Sequence, residues 1–134
     1  MKDASTRPSA VYYFATCLVD LFYPEAGLSG IRLLQREGIR VVFPRGQTCC
    51  GQPAFNSGYA DEGREVARAQ LRRFPGEEPV VVPSGSCAGM IRRHYPDLFA
   101  GDRDEGAALA KAAVTSPFFS SETTCAFGSS WILT

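Results

Sequence analysis

Residues 39–53 read Ile-Arg-Val-Val-Phe-Pro-Arg-Gly-Gln-Thr-Cys-Cys-Gly-Gln-Pro, and this stretch indicates both the fold and the kind of site. Its β-branched start, Ile39-Arg40-Val41-Val42-Phe43, predicts a strand that ends at Pro44. The polar segment that follows predicts a loop, and it carries the adjacent cysteines Cys49 and Cys50. A disulfide between neighbouring residues is strained, but both thiols can face one metal ion or cluster where the backbone bends. The stretch therefore predicts a thiol-based metal site at the end of a strand.

The segments on either side repeat this organisation of apolar run, polar loop and amphipathic helix. The pattern predicts strands at residues 10–15, 39–43 and 79–82, and helices at residues 24–38, 61–74 and from within 84–87 to 95. Pro24 suits the first turn of its helix, Gly38 suits a helix end, and Pro96 is expected to stop the third helix. Strands that alternate with helices predict parallel pairing and right-handed crossovers. We expect an α/β fold, a three-layer sandwich with a small, mainly parallel sheet in the order β-α-β-α-β-α.

Four cysteines follow the three predicted strands: Cys17 the first, Cys49 and Cys50 the second, and Cys87 the third. Because the carboxyl ends of parallel strands meet at one edge of a sheet, where ligands bind, we expect the four thiols to converge there. Thiolates are soft ligands for zinc and for iron–sulfur clusters, and four of them complete either site. Packing alone is the competing interpretation, since free cysteines are often buried.

Composition and charge argue against several classes of function and setting. The chain has 134 residues with 14 basic and 14 acidic side chains, so its net charge is zero and a nucleic-acid partner is not expected. No apolar run reaches the ~18 residues of a transmembrane helix. An odd number of cysteines, five, argues against a full set of disulfides and favours a reducing, cytoplasmic setting. Cys125 lies in an unpatterned segment and is not expected to be a ligand, and the single histidine, His94, is expected on an exposed face.

The cysteine segments resemble the cysteine-rich CCG domain family. The resemblance is carried by Cys17, by Cys49-Cys50-Gly51-Gln52-Pro53-Ala54-Phe55-Asn56-Ser57-Gly58, and by Pro83-Ser84-Gly85-Ser86-Cys87. It covers about residues 10–100, and the flanking residues are most similar to those of lactate utilization protein A and the glycolate oxidase iron–sulfur subunit.

The resemblance implies an iron–sulfur electron-transfer subunit with no catalytic residue of its own. It implies that the chain acts with other subunits of a complex that oxidises L-lactate, or a related 2-hydroxy acid, to pyruvate. By position, Cys17, Cys49, Cys50 and Cys87 carry over as the residues that bind the cofactor, expected to be a [4Fe–4S]-type cluster. Met90 stands where the full family pattern, Cys-x-x-Cys, has its last cysteine. The remaining four-thiol site leaves an alternative open, a zinc-binding structural or docking domain of the same kind of complex.

The expected domain organisation has three parts: a disordered N-terminus at residues 1–9, the CCG domain at 10–114 with an Ala-rich helix at 105–114, and an atypical, disordered tail at 115–134. Members of the family usually carry two such domains, and this sequence matches the first. A single domain is expected to leave an apolar face uncovered, which predicts self-association.

Overall fold

In the computed structural model, which describes residues 7–101, three parallel strands form one small sheet. The strands are β1 (Ala10–Tyr13), β2 (Arg40–Val42) and β3 (Val80–Val81), in the order β2-β1-β3. Val11 pairs with Val41 on one side of β1, and Tyr13 pairs with Val81 on the other. The predicted α/β fold with a parallel sheet is therefore confirmed. Residues 1–6, the helix predicted at 105–114, the boundary at 114 and the tail at 115–134 lie outside the described residues.

Six α-helices and one π-helical turn connect and follow the strands in the described part of the chain. They are α1 (Cys17–Phe22), α2 (Pro24–Arg36), α3 (Gln52–Asn56), α4 (Ala60–Leu71), α5 (Gly85–Gly89), the π-helical turn (Met90–His94) and α6 (Tyr95–Leu98). The helices α1 and α3 were not predicted, because helices of six and five residues are too short to show an amphipathic period. Within residues 7–101, no helix combines the length and the apolar character needed to cross a membrane.

The core lies on both faces of the sheet because alternate side chains of β1 point in opposite directions. Val11 and Tyr13 pack with Leu34 of α2 on one face. Tyr12 and Phe14 belong to a larger cluster on the other face, formed with α4 and the helices that follow β3. All four residues of β1 are buried, as expected for a central strand between two helical layers.

The C-terminus of α2 is stabilised by a glycine turn that also fixes the start of β2. Gly38 has a φ of 76°, a left-handed conformation that glycine adopts without steric cost. Its N–H donates to the Gln35 carbonyl (3.0 Å), and the Ile39 N–H donates to the Leu34 carbonyl (3.1 Å). This is the Schellman arrangement, and its apolar contact joins Leu34 to Ile39 in the core. The predicted helix end at Gly38 is confirmed.

The helix expected to stop at Pro96 instead continues through it, so this prediction was wrong. In a regular helix, proline removes one hydrogen bond and its ring clashes with the carbonyl four residues earlier. The π-helical turn avoids the conflict, since the Tyr95 N–H donates to the Met90 carbonyl across a wider ring. The helix restarts as α6 with Pro96 in its first turn, where no N–H donor is needed.

Replacing Gly30 of α2 with alanine is expected to destabilise the fold. A Cβ at this position would lie 2.5 Å from the Tyr13 hydroxyl, which is buried and donates to the Gly27 carbonyl at 3.1 Å. We expect Gly30→Ala to lower the free energy of unfolding by about 1–2 kcal/mol, measured by urea denaturation. Gly89→Ala is the matched control, because its Cβ meets nothing within 4 Å and alanine favours helix by about 0.5–1 kcal/mol. Equal stability of the two variants would contradict this packing.

Candidate metal centre

The four predicted cysteines all lie at the carboxyl edge of the sheet, and each lies at or next to the N-terminus of a short helix. Cys17 is the first residue of α1. Cys49 and Cys50 immediately precede Gly51, which is the N-cap of α3. Cys87 is in the first turn of α5. The thiols therefore meet at the predicted edge, but as two pairs rather than as one group of four.

The sulfur atoms form two pairs. The Sγ atoms of Cys17 and Cys49 are 3.9 Å apart, and those of Cys50 and Cys87 are 3.4 Å apart. Four sulfurs placed about 2.3 Å from a central zinc would be about 3.8 Å from one another, so each pair is close to one edge of such a tetrahedron. In residues 7–101, however, no three cysteine, histidine, aspartate or glutamate side chains are already arranged to hold a metal ion. The donor set fits a soft metal centre, and the two pairs must approach each other to surround it.

The Cys50–Cys87 pair is buried, and the pKa values of its two thiols are shifted in opposite directions. Cys50 is 2% exposed and Cys87 is 6% exposed. The hydrogen bond that Cys50 donates to Cys87, together with burial, raises the pKa of Cys50. The same hydrogen bond, with help from the Ser84 and Ser86 hydroxyls, lowers the pKa of Cys87 to about 6. The hydrogen bond therefore favours the thiolate at Cys87 over Cys50, and the thiolate is the form that binds metal.

The Cys17–Cys49 pair is more accessible. Both cysteines are half-buried, and both line an open cavity of about 470 Å³ whose wall includes Leu21, Phe43 and Arg45. Burial, followed by the neighbouring Cys49 sulfur, raises the pKa of Cys17. A metal ion or small molecule from solvent therefore reaches this pair before the buried one.

Backbone N–H groups at the helix N-termini contact the sulfurs. The Gly51 N–H donates to the Cys49 Sγ at 3.4 Å. Hydrogen bonds from the backbone amides of Leu18 and Gln52 lower the pKa of Cys17 and Cys50, although by less than the surroundings of each thiol raise it. Gly51 itself is required by the turn, since its φ is 88° and a Cβ would lie 2.7 Å from the Gly63 carbonyl oxygen.

Gln47 joins the cysteine loop to the central strand. Its Oε1 accepts from the Ala15 N–H (3.0 Å), and its Nε2 donates to the carbonyls of Tyr13 (2.9 Å) and Pro44 (3.0 Å). The side chain thus continues the sheet's hydrogen bonding beyond the end of β1. No sequence signal indicated this role, because Gln47 resembles any other polar residue of a loop.

Gln70 and Tyr95 hold the vicinal cysteines from the other side. The Oε1 of Gln70 accepts from the Thr48 N–H at 2.8 Å, and the Tyr95 hydroxyl donates to the Cys50 carbonyl at 2.7 Å. Gln70 is 2% exposed, and its Nε2 has no hydrogen-bond partner in residues 7–101. The Thr48 N–H fixes this orientation of the amide. The sequence did contain one signal for Gln70. It is a polar residue on the apolar face of α4, three positions from Ala67.

Met90 and His94 lie outside the two thiol pairs. Met90, at the position of the family's last cysteine, is buried in the larger core cluster. His94 was expected to be exposed, but it is half-buried and its ring packs on Phe55 with centroids 4.6 Å apart. Asn56 and Tyr59 are exposed at the end of α3 and just after it. Cys125 lies outside the described residues.

Gln47→Met and Gln70→Met are expected to differ sharply in stability. Gln47→Met removes three hydrogen bonds and should lower the free energy of unfolding by roughly 2 kcal/mol. Gln70→Met loses two hydrogen bonds from Thr48, one from its N–H (2.8 Å) and one from its hydroxyl (3.3 Å). It also removes a buried N–H without a partner in residues 7–101, so its free energy of unfolding should stay within about 1 kcal/mol of the parent. Urea denaturation under reducing conditions measures both, and an equal loss would contradict the assigned hydrogen bonds.

Comparison with known proteins places these features in a family. A family model described as the CCG cysteine-rich domain matches residues 11–92. Lactate utilization protein A of Geobacillus sp. (strain WCH70) is 52% identical over 94 residues, which cover 70% of this chain and 39% of that protein. Lactate utilization protein A of Geobacillus kaustophilus (strain HTA426) is 50% identical over 106 residues, covering 78% and 44%.

A third relative, lactate utilization protein A 2 of Bacillus cereus (strain Q1), is 45% identical over 94 residues, covering 70% of this chain and 39% of that protein. The chain spans about two fifths of the length of these curated relatives. No solved structure gives a significant match. Since the matched residues include all four cysteines of the sheet edge, the chain belongs to the CCG cysteine-rich domain family.

Proposed function

We propose that this chain is an iron–sulfur electron-transfer subunit of a system that oxidises L-lactate, or a related 2-hydroxy acid, to pyruvate. The observation that carries the proposal is the convergence of Cys17, Cys49, Cys50 and Cys87 at one edge of the sheet. The names of the relatives, lactate utilization protein A, support the lactate system. Free thiols are kept in a reducing compartment, so we place the protein in the cytoplasm.

The side chains and the backbone around the four thiols suit an iron–sulfur cluster, which is negatively charged. Such a cluster would supply one-electron transfer at this edge, with a potential that depends on hydrogen bonds to the sulfurs. Gly51 provides one such hydrogen bond to Cys49, and the helix N-termini of α1 and α5 add favourable partial charge. The serine hydroxyls beside Cys87 provide two more donors. The half-buried Cys17–Cys49 pair leaves a short path from the site to a partner at the surface.

A zinc-binding structural or docking domain is the second candidate, and the sulfur separations favour it. The spacings of 3.9 Å and 3.4 Å are close to the edge of a zinc–sulfur tetrahedron. Met90 removes a fifth thiol from the family pattern, which leaves the number that a structural zinc requires. In this case the chain would contribute a docking surface to the same complex rather than a path for electrons.

A partner surface is expected beside the open cysteine pair. Exposed apolar side chains of α1 and α2 form a group that we call the α1–α2 apolar face, made up of Leu18, Leu21, Phe22, Tyr23 and Leu28. Soluble proteins rarely leave such a patch uncovered. Because α1 starts at Cys17, a subunit bound to this face would lie next to the proposed centre. We propose that this face binds other subunits of the lactate system and mediates self-association when they are absent.

Metal analysis distinguishes the two candidates. After anaerobic purification, we expect stoichiometric iron with acid-labile sulfide if the site holds a cluster, and zinc without sulfide if it is structural. Cys49→Ser and Cys50→Ser should each lower the bound metal at least about tenfold, because each removes one thiolate ligand. Cys125→Ser is the matched control and should leave the metal content unchanged. Unchanged metal in the Cys49→Ser and Cys50→Ser variants would reject the assigned ligands.

Self-association tests the α1–α2 apolar face. We expect the purified chain to form dimers or larger species, and Leu21→Glu with Phe22→Glu to shift it to monomer, since these side chains are 71% and 69% exposed. Light scattering after size exclusion gives the mass. Tyr59→Glu is the matched control, since Tyr59 is 61% exposed but lies outside this face. A monodisperse parent monomer would contradict the expectation.

A further inference from the structure

The pairing of the four thiols restricts the disulfides that they can form, whichever metal they bind. Four cysteines allow three disulfide connectivities. In this fold Cys49 lies against Cys17 and Cys50 lies against Cys87, so the two vicinal thiols have different partners. The geometry therefore selects one connectivity out of three.

We propose that Cys17 and Cys49 form an oxidative modification site, which a peroxide closes to a disulfide when the metal centre is empty. The Cys50–Cys87 pair is the second, slower site of the same kind. This inference goes beyond the proposed electron-transfer role and applies equally to a zinc domain.

The reaction balances with one hydrogen peroxide for each disulfide. One sulfur of the pair, as thiolate, attacks a peroxide oxygen, which breaks the O–O bond and gives a sulfenic acid and, after protonation, one water. The partner sulfur then attacks the sulfenic sulfur, which forms the S–S bond, breaks the S–O bond and releases the second water. Two thiols are oxidised by two electrons, and the peroxide is reduced to two waters.

Access and mobility favour the Cys17–Cys49 pair, and we expect them to outweigh the lower pKa of Cys87 because a peroxide must reach a sulfur before it can react. Its thiols line the open cavity of about 470 Å³, whereas Cys50 and Cys87 are 2% and 6% exposed. The two sulfurs, 3.9 Å apart, must approach by roughly 1.9 Å to reach the bonded distance of about 2.05 Å. None of the α1 side chains is buried, so Cys17 can shift with its short helix at little cost in packing.

Disulfide formation and metal binding exclude each other at this site. A Cys17–Cys49 disulfide removes two of the four proposed ligands, because a metal binds the thiolate and not the disulfide. It also ties the start of α1 to the cysteine loop. Reduction restores both thiols, since sulfenic acids and disulfides lie on the reversible part of the oxidation series.

The test uses the full chain, stripped of metal by a chelator under reductant and then exposed anaerobically to stepwise hydrogen peroxide. We expect the mass to fall by about 2 Da first and by about 4 Da at higher peroxide, because each disulfide loses two hydrogens. Cys49 and Cys50 remain on one tryptic fragment, residues 46–64, so fragmentation of that peptide must locate the first disulfide. We expect it to join Cys17 to Cys49.

Cysteine-to-serine variants and added zinc ion serve as controls for the peroxide experiment. Cys50→Ser should keep the first mass loss, Cys49→Ser should slow it at least about tenfold because its sulfur is one of the reacting pair, and Cys125→Ser should change nothing. Zinc ion added before the peroxide should protect the thiols if the site binds zinc. Failure of zinc to protect would count against zinc as the metal, while the disulfide of the stripped chain would still be expected.

A first disulfide with any other pairing would overturn the inference. So would over-oxidation to sulfinic acid without a disulfide. Either result can be read from the parent chain alone, even if a serine variant fails to fold.

Discussion

The parallel pairing of β1 with both neighbouring strands is the constraint on which the rest of the structure depends. Because β2 and β3 flank β1 in the same direction, three segments that are far apart in sequence leave the sheet at one edge. Each segment carries cysteine, and each cysteine lies at or next to the N-terminus of a short helix. The backbone topology by itself therefore brings the thiol ligands close to the positive partial charge of the helix N-termini. Specific side-chain contacts are not needed for this.

Polar side chains then set the position of the vicinal cysteines. Gln47 ties their loop to the end of β1, while Gln70 and Tyr95 hold Thr48 and Cys50 from the side of the larger core cluster. These contacts pass through backbone groups, so they fix the loop without competing for the sulfurs. Held in this way, the two neighbouring thiols face different partners, and the site has a buried half and an open half.

The two halves suit different chemistry. In the buried pair, a hydrogen bond from Cys50 lowers the pKa of Cys87, whereas the open pair lies beside the cavity and the α1–α2 apolar face. A metal centre would draw on both pairs, and oxidation would start from the open one. The same topology therefore supports a proposed electron-transfer or zinc site and a proposed reversible disulfide.

From the sequence alone, three apolar runs, Pro24 and Gly38 predicted the α/β fold, and the position of cysteine after each run predicted that the thiols meet. Local patterns are enough for these features, since strand, cap and turn chemistry act over a few residues. The sequence did not reveal the short helices α1 and α3, the π-helical turn that carries the chain through Pro96, or the roles of Gln47 and Gln70. Only the tertiary structure decided that Cys49 pairs with Cys17 and Cys50 with Cys87, because the partner of a thiol depends on where distant strand ends lie and no local preference records it.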